Sequence, residues 1–123
     1  MNGIKIAAMG LALLSSASFA EDCTQPAAPS IPDGAKASME QMLEGQKSVK
    51  TFQSANLEYM ACLEKAFTAA KAASEEGSDD AKASAMKAHT KAVDAYNKAV
   101  SKEEEVAGQF NTEIREYKAA NPG

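Results

Sequence analysis

Two long proline-free stretches decide what this chain can fold into. They cover about residues 38–75 and 79–119, and Ala, Glu and Lys, all strong helix formers, are frequent in both. Gly77 and Ser78 lie between them; glycine suits the end of one helix and serine caps the start of the next. Neither stretch shows the sustained period-two alternation of a β-strand. The sequence therefore predicts an all-α fold of two helices.

Apolar residues recur at seven-residue intervals along both helices, as they do in a coiled coil. In the first helix the two series are Met42, Val49, Asn56, Leu63, Ala70 and Gly45, Phe52, Tyr59, Ala66, Ala73. In the second helix they are Met86, Val93, Val100, Ala107, Ile114 and His89, Tyr96, Glu103, Phe110, Tyr117. A capping box of Ser38 and Gln41 marks the start of the first helix. Because the connection has about four residues, we expect a long antiparallel hairpin over residues 38–120, with facing residue numbers that sum to about 154.

This register places Gly45 opposite Gly108. Two glycines at one level would let the helices approach closely, or would leave room for the N-terminal segment. Alternatively, each glycine is a tolerated defect that costs roughly 1 kcal/mol in a helix. The sequence leaves both interpretations open.

The segment before the first helix, residues 21–37, cannot be helical. Pro26, Pro29 and Pro32 lie within seven residues, and each fixes φ and lacks an N–H donor. Such a segment is extended, with polyproline-II geometry. We call it the strap, because it can run back along the first helix and pack between the two helices.

The two cysteines, Cys23 and Cys62, are expected to form a disulfide, because an even pair is typical of one in a chain with an export signal, and residues 1–20 have the pattern of such a signal, as described below. The extended strap is long enough for this bond. Cys62 lies about 36 Å beyond Ser38 along the helix, and the strap from Cys23 to Ser38 can span about 46 Å. The alternatives are an intermolecular bridge and two free thiols.

Residues 1–20 have the pattern of a secretory signal peptide. Lys5 is followed by an apolar run, Ile6–Leu14, and then by small residues that end at Ala20. The alternative is a membrane anchor, but a span needs about 20 apolar residues and this run has about half. We expect cleavage after Ala20, a periplasmic or secreted protein, and no integral membrane segment after processing.

The charge of the processed chain limits its partners. Without Lys5, 12 of the 13 basic residues remain against 17 acidic ones, which leaves a net charge of −5. An acidic chain without a basic run is a poor binder of nucleic acid and of anionic membranes. We therefore expect no nucleic-acid partner.

Candidate chemical sites are few. The chain has one histidine, His89, whereas a zinc site takes three or four ligands and the cysteines are assigned to the disulfide. The sequence lacks the Glu-x-x-His motif of di-iron bundles, and methionines at helical spacing are typical of core packing rather than copper binding. We expect no catalytic residue, no cofactor, no metal and no enzymatic activity. His89 is expected to be a half-buried helix residue.

Several short motifs form a pattern along the processed chain. They are Cys23-x-x-Pro26, Pro29-x-Ile31-Pro32-Asp33-Gly34, Val49-Lys50-x-Phe52, Tyr59-x-x-Cys62-Leu63, Phe110-Asn111 and Tyr117-Lys118-x-x-Asn121-Pro122. This pattern resembles a group of small exported helical proteins of Gram-negative bacteria. The resemblance implies a paired-cysteine helical protein of the cell envelope, and it brings no activity that these residues would inherit.

The expected function is that of a non-enzymatic interaction or structural protein in the periplasm or outside the cell. Its apolar stripe is too long for one partner helix to cover, so it would bind another protein or a second copy, as in a homodimeric four-helix bundle. The possible interaction stripe consists of Phe52, Tyr59, Leu63, Val93, Tyr96, Val100, Phe110 and Ile114. The alternatives are a carrier of a small ligand or metal near Gly45 and Gly108 or near His89, and a stress chaperone of the envelope.

Overall fold

A computed structural model describes residues 23–123, and the predicted signal peptide of residues 1–20 lies outside them. Two helices, α1 (Met39–Ala73) and α2 (Asp79–Ala120), pack against each other along their length, and residues 23–123 contain no strand. The prediction of an all-α helical hairpin is confirmed.

The helix ends follow the signals in the sequence. At the start of α1, the Ser38 hydroxyl accepts from the Gln41 backbone N–H at 3.1 Å, and Gln41 Oε1 accepts from the Ser38 N–H at 2.8 Å. Gly77 has a φ of +93°, which glycine adopts without strain in the turn after α1. Ser78 then caps α2 by accepting from the Ala81 N–H at 3.2 Å.

The stripe that α1 buries is close to the predicted one. Its buried residues are Met42, Gly45, Val49, Phe52, Asn56, Leu63, Ala66 and Ala70. Tyr59 and Ala73, which the pattern also placed there, are half-buried. The seven-residue spacing therefore identified the correct face of α1.

The stripe that α2 buries begins one residue earlier than predicted. Its buried residues are Ala85, Ala92, Ala99, Val106 and Phe110. Three small alanines at seven-residue spacing let α2 approach α1 closely, so that the larger Val93 and Val100, one residue later, lie half-buried at the rim. The prediction was correct for Phe110 and missed the three alanines, because larger apolar side chains outweigh alanine in a search for hydrophobic periodicity.

Two side-chain hydrogen bonds fix the register of the hairpin. Asn56, which is 2 % exposed, donates from Nδ2 to the Ala99 carbonyl oxygen at 3.0 Å. In the opposite direction, His89 Nδ1 donates to the Phe67 carbonyl oxygen at 2.9 Å. These pairs sum to 155 and 156, close to the predicted register. A slip would leave the Asn56 amide buried without its partner, which costs about 1–3 kcal/mol.

The strap runs antiparallel to α1, as predicted. A disulfide joins Cys23 to Cys62, with their Cα atoms 5.6 Å apart, and Pro32 reaches Gly45. Nine strap residues at about 3.1 Å each cover about 28 Å, and the seventeen helical residues from Cys62 back to Gly45 cover about 26 Å. The extended strap and the helix therefore match in length between these two contacts.

The structure separates the roles of the two glycines. A Cβ atom on Gly45 would lie 2.6 Å from Pro32 Cδ and 3.4 Å from Phe110 Cε2. Gly108 is exposed, and a Cβ there would meet no atom within 4 Å. Gly45 and Gly108 therefore do not face each other, and the interpretation that a glycine leaves room for the N-terminal segment is confirmed for Gly45. Gly45 leaves room for the strap, and Gly108 lies on the outer face of α2.

Alanine substitutions at the two glycines should have different effects. Gly108→Ala should raise the free energy of unfolding by about 1 kcal/mol, because alanine is the better helix former. In Gly45→Ala the same gain is opposed by the collision with the rigid Pro32 ring, at a cost of about 1–3 kcal/mol. Denaturant unfolding of both variants measures the difference. Equal stabilisation by both would contradict the contact between the strap and α1.

Candidate functional site

A two-helix hairpin has a groove on each side of its seam, and the strap fills only one of them. Pro26 and Pro29 lie beside Thr51 and Ala55 on one side of α1. Farther along, Ile31 packs against the main apolar cluster between the helices. No segment of residues 23–123 covers the opposite side.

We call this uncovered side the open groove. Toward the free ends of the helices it forms two adjoining depressions of about 200 and 240 Å³. Their walls include Met39, Leu43, Gln46, Lys50 and Gln53 from α1 and Ala107, Asn111, Ile114 and Tyr117 from α2. Leu57 and Met60 lie two helical turns beyond Lys50 and Gln53, so they continue the same face.

Large apolar side chains of the open groove are in contact with solvent. Met39 is 65 % exposed, Leu43 is 59 % exposed and Leu57 is 57 % exposed. Single exposed apolar residues are ordinary on protein surfaces, whereas several along one groove make that groove a candidate interaction surface. Sequence reasoning missed these residues because they lie off the stripe that faces α2. The fourteen-residue interval between Leu43 and Leu57 was the signal that could have identified them.

An aromatic cluster lies at the end of the hairpin near the connecting turn. The Phe67 ring contacts the rings of His89 and Tyr96 edge-on, with centroid distances of 6.0 and 5.8 Å. His89 is half-buried, as expected, and its Nδ1 hydrogen is used in the bond to α1. The structure therefore gives His89 a role in packing and register.

The predicted interaction stripe is divided between the core and the rims. Three of its residues, Phe52, Leu63 and Phe110, are buried within the hairpin. They cannot contact a partner unless the hairpin opens. The others are half-buried: Tyr59, Val93, Tyr96, Val100 and Ile114. Ile114 lines the open groove, and Val100 and Val93 continue its face at seven-residue intervals.

Tyr59 lies on the strap side, in a lysine-lined trough of about 760 Å³. The trough also includes Gln25 of the strap and Lys87, Lys91 and Lys98 of α2. Its volume is in the range of small-molecule sites, and the ammonium groups would favour an anion. However, its lining includes neither of the glycines and not His89, the two places where a ligand was expected.

Three carboxylates meet where the strap turns into α1. The side-chain oxygens of Asp33, Glu113 and Glu116 lie within 4.8 Å of one another. Glu113 Oε1 also accepts from the Gly34 N–H at 3.1 Å, and a side chain on Gly34 would collide with the Glu113 backbone. Oxygen ligands suit a hard cation, but calcium takes six to eight of them and this cluster supplies three. The hydrogen bond to Gly34, which holds the strap against α2, is a sufficient reason for a carboxylate at position 113.

The carboxylate cluster changes the acidity of Glu116. A side-chain hydrogen bond with Glu113, and then the charge of Glu113, raise the pKa of Glu116 above its ordinary value. Two carboxyl groups can share a hydrogen bond only if one of them keeps its proton. Protonation therefore favours the contact between these two residues.

None of the helices within residues 23–123 combines the length and the apolarity that a membrane span requires. Comparison of the sequence with protein families, with curated proteins and with solved structures finds no match. Function is therefore inferred from the geometry of the surfaces described above.

Titration of the Glu116 carboxyl carbon by NMR should give a pKa above the ordinary glutamate value. In Glu113→Gln the pKa should fall, because the neutral amide removes the repulsion and can donate to the carboxylate. Since the raised pKa belongs to the folded state, the stabilisation is complete below the ordinary glutamate pKa and is lost as the pH rises through the raised value. An unchanged pKa in Glu113→Gln would contradict the contact.

Proposed function

We propose that this chain is an exported, non-enzymatic interaction protein of the cell envelope, and that its open groove binds an amphipathic helix. The observation that carries the proposal is the row of exposed apolar side chains, Met39, Leu43 and Leu57, on the side that the strap leaves uncovered. Covering this row would remove apolar surface from water, which favours association by roughly 25 cal/mol per Å².

The shape of the groove favours a helix as its occupant. The groove runs beside α1, which has 35 residues and is therefore about 52 Å long. Its apolar residues recur at helical intervals, so a third helix can place its own side chains between them. Glutamines at positions 46 and 53 tolerate either an apolar or a polar neighbour. A helix with one apolar stripe fits this surface because its side chains recur at the same intervals as those of the groove.

The disulfide supports a location outside the cytoplasm. Structural disulfides persist in oxidising compartments such as the periplasm and are rare in the cytosol. Joining Cys23 to Cys62 holds the strap in place, so the fold itself benefits from such a compartment. The signal-peptide pattern of residues 1–20 points in the same direction. We therefore include export in the proposal, with cleavage after Ala20.

Site-specific photo-crosslinking tests the proposed occupant. A photoreactive amino acid placed at position 43 or 57 of the exported protein should crosslink, in intact cells, to a segment that fragmentation mass spectrometry can identify. That segment should show apolar residues three and four positions apart, as an amphipathic helix does. The matched control is the same amino acid at position 87, which is exposed on α2 in the lysine-lined trough.

The outcomes separate the candidate functions. Adducts from positions 43 and 57 to one amphipathic helix, without adducts from position 87, are expected. Adducts to many unrelated segments would favour the chaperone alternative. The proposal fails if positions 43 and 57 give no adduct, or if they crosslink only to non-helical segments.

A further inference from the structure

The central part of the exposed face of α1 is self-complementary. Along one seven-residue series it carries Leu43, Lys50, Leu57, Glu64 and Lys71. Lys50 and Glu64 lie seven residues on either side of Leu57 and have opposite charges. Both are exposed, and the one ion pair found in residues 23–123 joins two other residues, Lys102 and Glu105. A symmetric arrangement centred on Leu57 would therefore bring together two charges that have no ion-pair partner within residues 23–123.

We propose that the occupant of the open groove is α1 of a second copy of this chain, packed antiparallel about a two-fold axis at Leu57. This inference rests on the proposed function and names its partner. In this arrangement Leu57 faces its symmetry mate, and Lys50 of each copy faces Glu64 of the other. Such an interface is isologous, the commonest kind in homodimers, because the same patch serves both subunits.

The neighbouring positions of α1 agree with this pairing. One position inward from the charged series, Gln53 would face Met60 of the second copy and Gln46 would face Phe67, which extends the contact with apolar surface. Met60 and Phe67 are half-buried and can lose further accessible surface. On the other flank, the exposed Ser54 and Ala61 are small and permit a close approach of the two helices.

The position of the axis gives the two hairpins the greatest overlap. The midpoint of α1 (Met39–Ala73) is residue 56, one residue from the proposed axis. Two copies would therefore overlap along nearly the full length of α1 and form an antiparallel four-helix bundle. Both open grooves would be closed in a single contact. Leu57 would be covered by its symmetry mate, and Leu43 would lie against the aliphatic stem of Lys71 of the other copy.

Sedimentation of the exported, disulfide-bonded protein tests this pairing. Between about 1 µM and 1 mM, the mass should rise from that of one chain to that of two. Lys50→Glu and Glu64→Lys each turn two symmetric attractions into repulsions, so each should weaken dimerisation by about tenfold. The double variant Lys50→Glu/Glu64→Lys exchanges the charges and should restore most of the original affinity.

A control separates specific pairing from a change in net charge. Lys87→Glu alters the net charge as Lys50→Glu does, but it lies on an exposed face of α2, and it should leave the dimer unchanged. Circular dichroism checks that every variant remains helical. The pairing would be overturned if neither charge reversal changed the dimerisation affinity, or if the double variant dimerised as weakly as the single variants.

A chain that stays monomeric at every concentration would also overturn the inference. In that case the crosslinks from positions 43 and 57 decide the proposed function separately. An adduct to an amphipathic helix of another protein would leave the groove as a docking surface with a different partner. If these positions give no adduct at all, both proposals fail.

Discussion

The disulfide between Cys23 and Cys62 is the interaction on which the rest of the structure depends. A pair of helices has only one shared seam, and much of that seam in α2 is alanine, so the apolar core is thin. The strap adds Ile31 and Pro32 to this core, but an extended segment without a partner strand has few hydrogen bonds to hold it. The covalent link closes a loop of 39 residues and removes unfolded-chain entropy equivalent to about 4 kcal/mol.

The one-sided position of the strap also makes the molecule asymmetric. It covers the seam on the Gly45 side, where Pro32 leaves no room for a larger residue, and it leaves the Leu43 and Leu57 side open. A symmetric hairpin would offer two similar grooves and would have no preferred partner surface. In this chain the strap occupies one groove and leaves the other uncovered. In the proposed homodimer, the second copy would cover the open groove, as the strap covers the groove on the opposite side.

Local chemistry in the sequence was enough to predict the hairpin, the capping box at Ser38, the disulfide and the antiparallel course of the strap. Each of these predictions rests on residues a few positions apart, or on the distance that an extended segment can span. The face of α2 was predicted one residue too late, because the three alanines at 85, 92 and 99 owe their burial to close helix packing, which hydrophobicity does not reveal. Likewise, the pattern along α1 could not show which side the strap would take. The structure shows that Pro32 lies against Gly45 on one side and that Leu57 on the other side remains exposed.

The most direct test of this account compares the oxidised protein with the variant Cys23→Ser/Cys62→Ser in denaturant-induced unfolding. If the link holds the strap against the hairpin, the variant should have a free energy of unfolding that is lower by about 4 kcal/mol. A variant that unfolds with nearly the same free energy as the oxidised protein would contradict the account, because the two helices would then be stable without the strap.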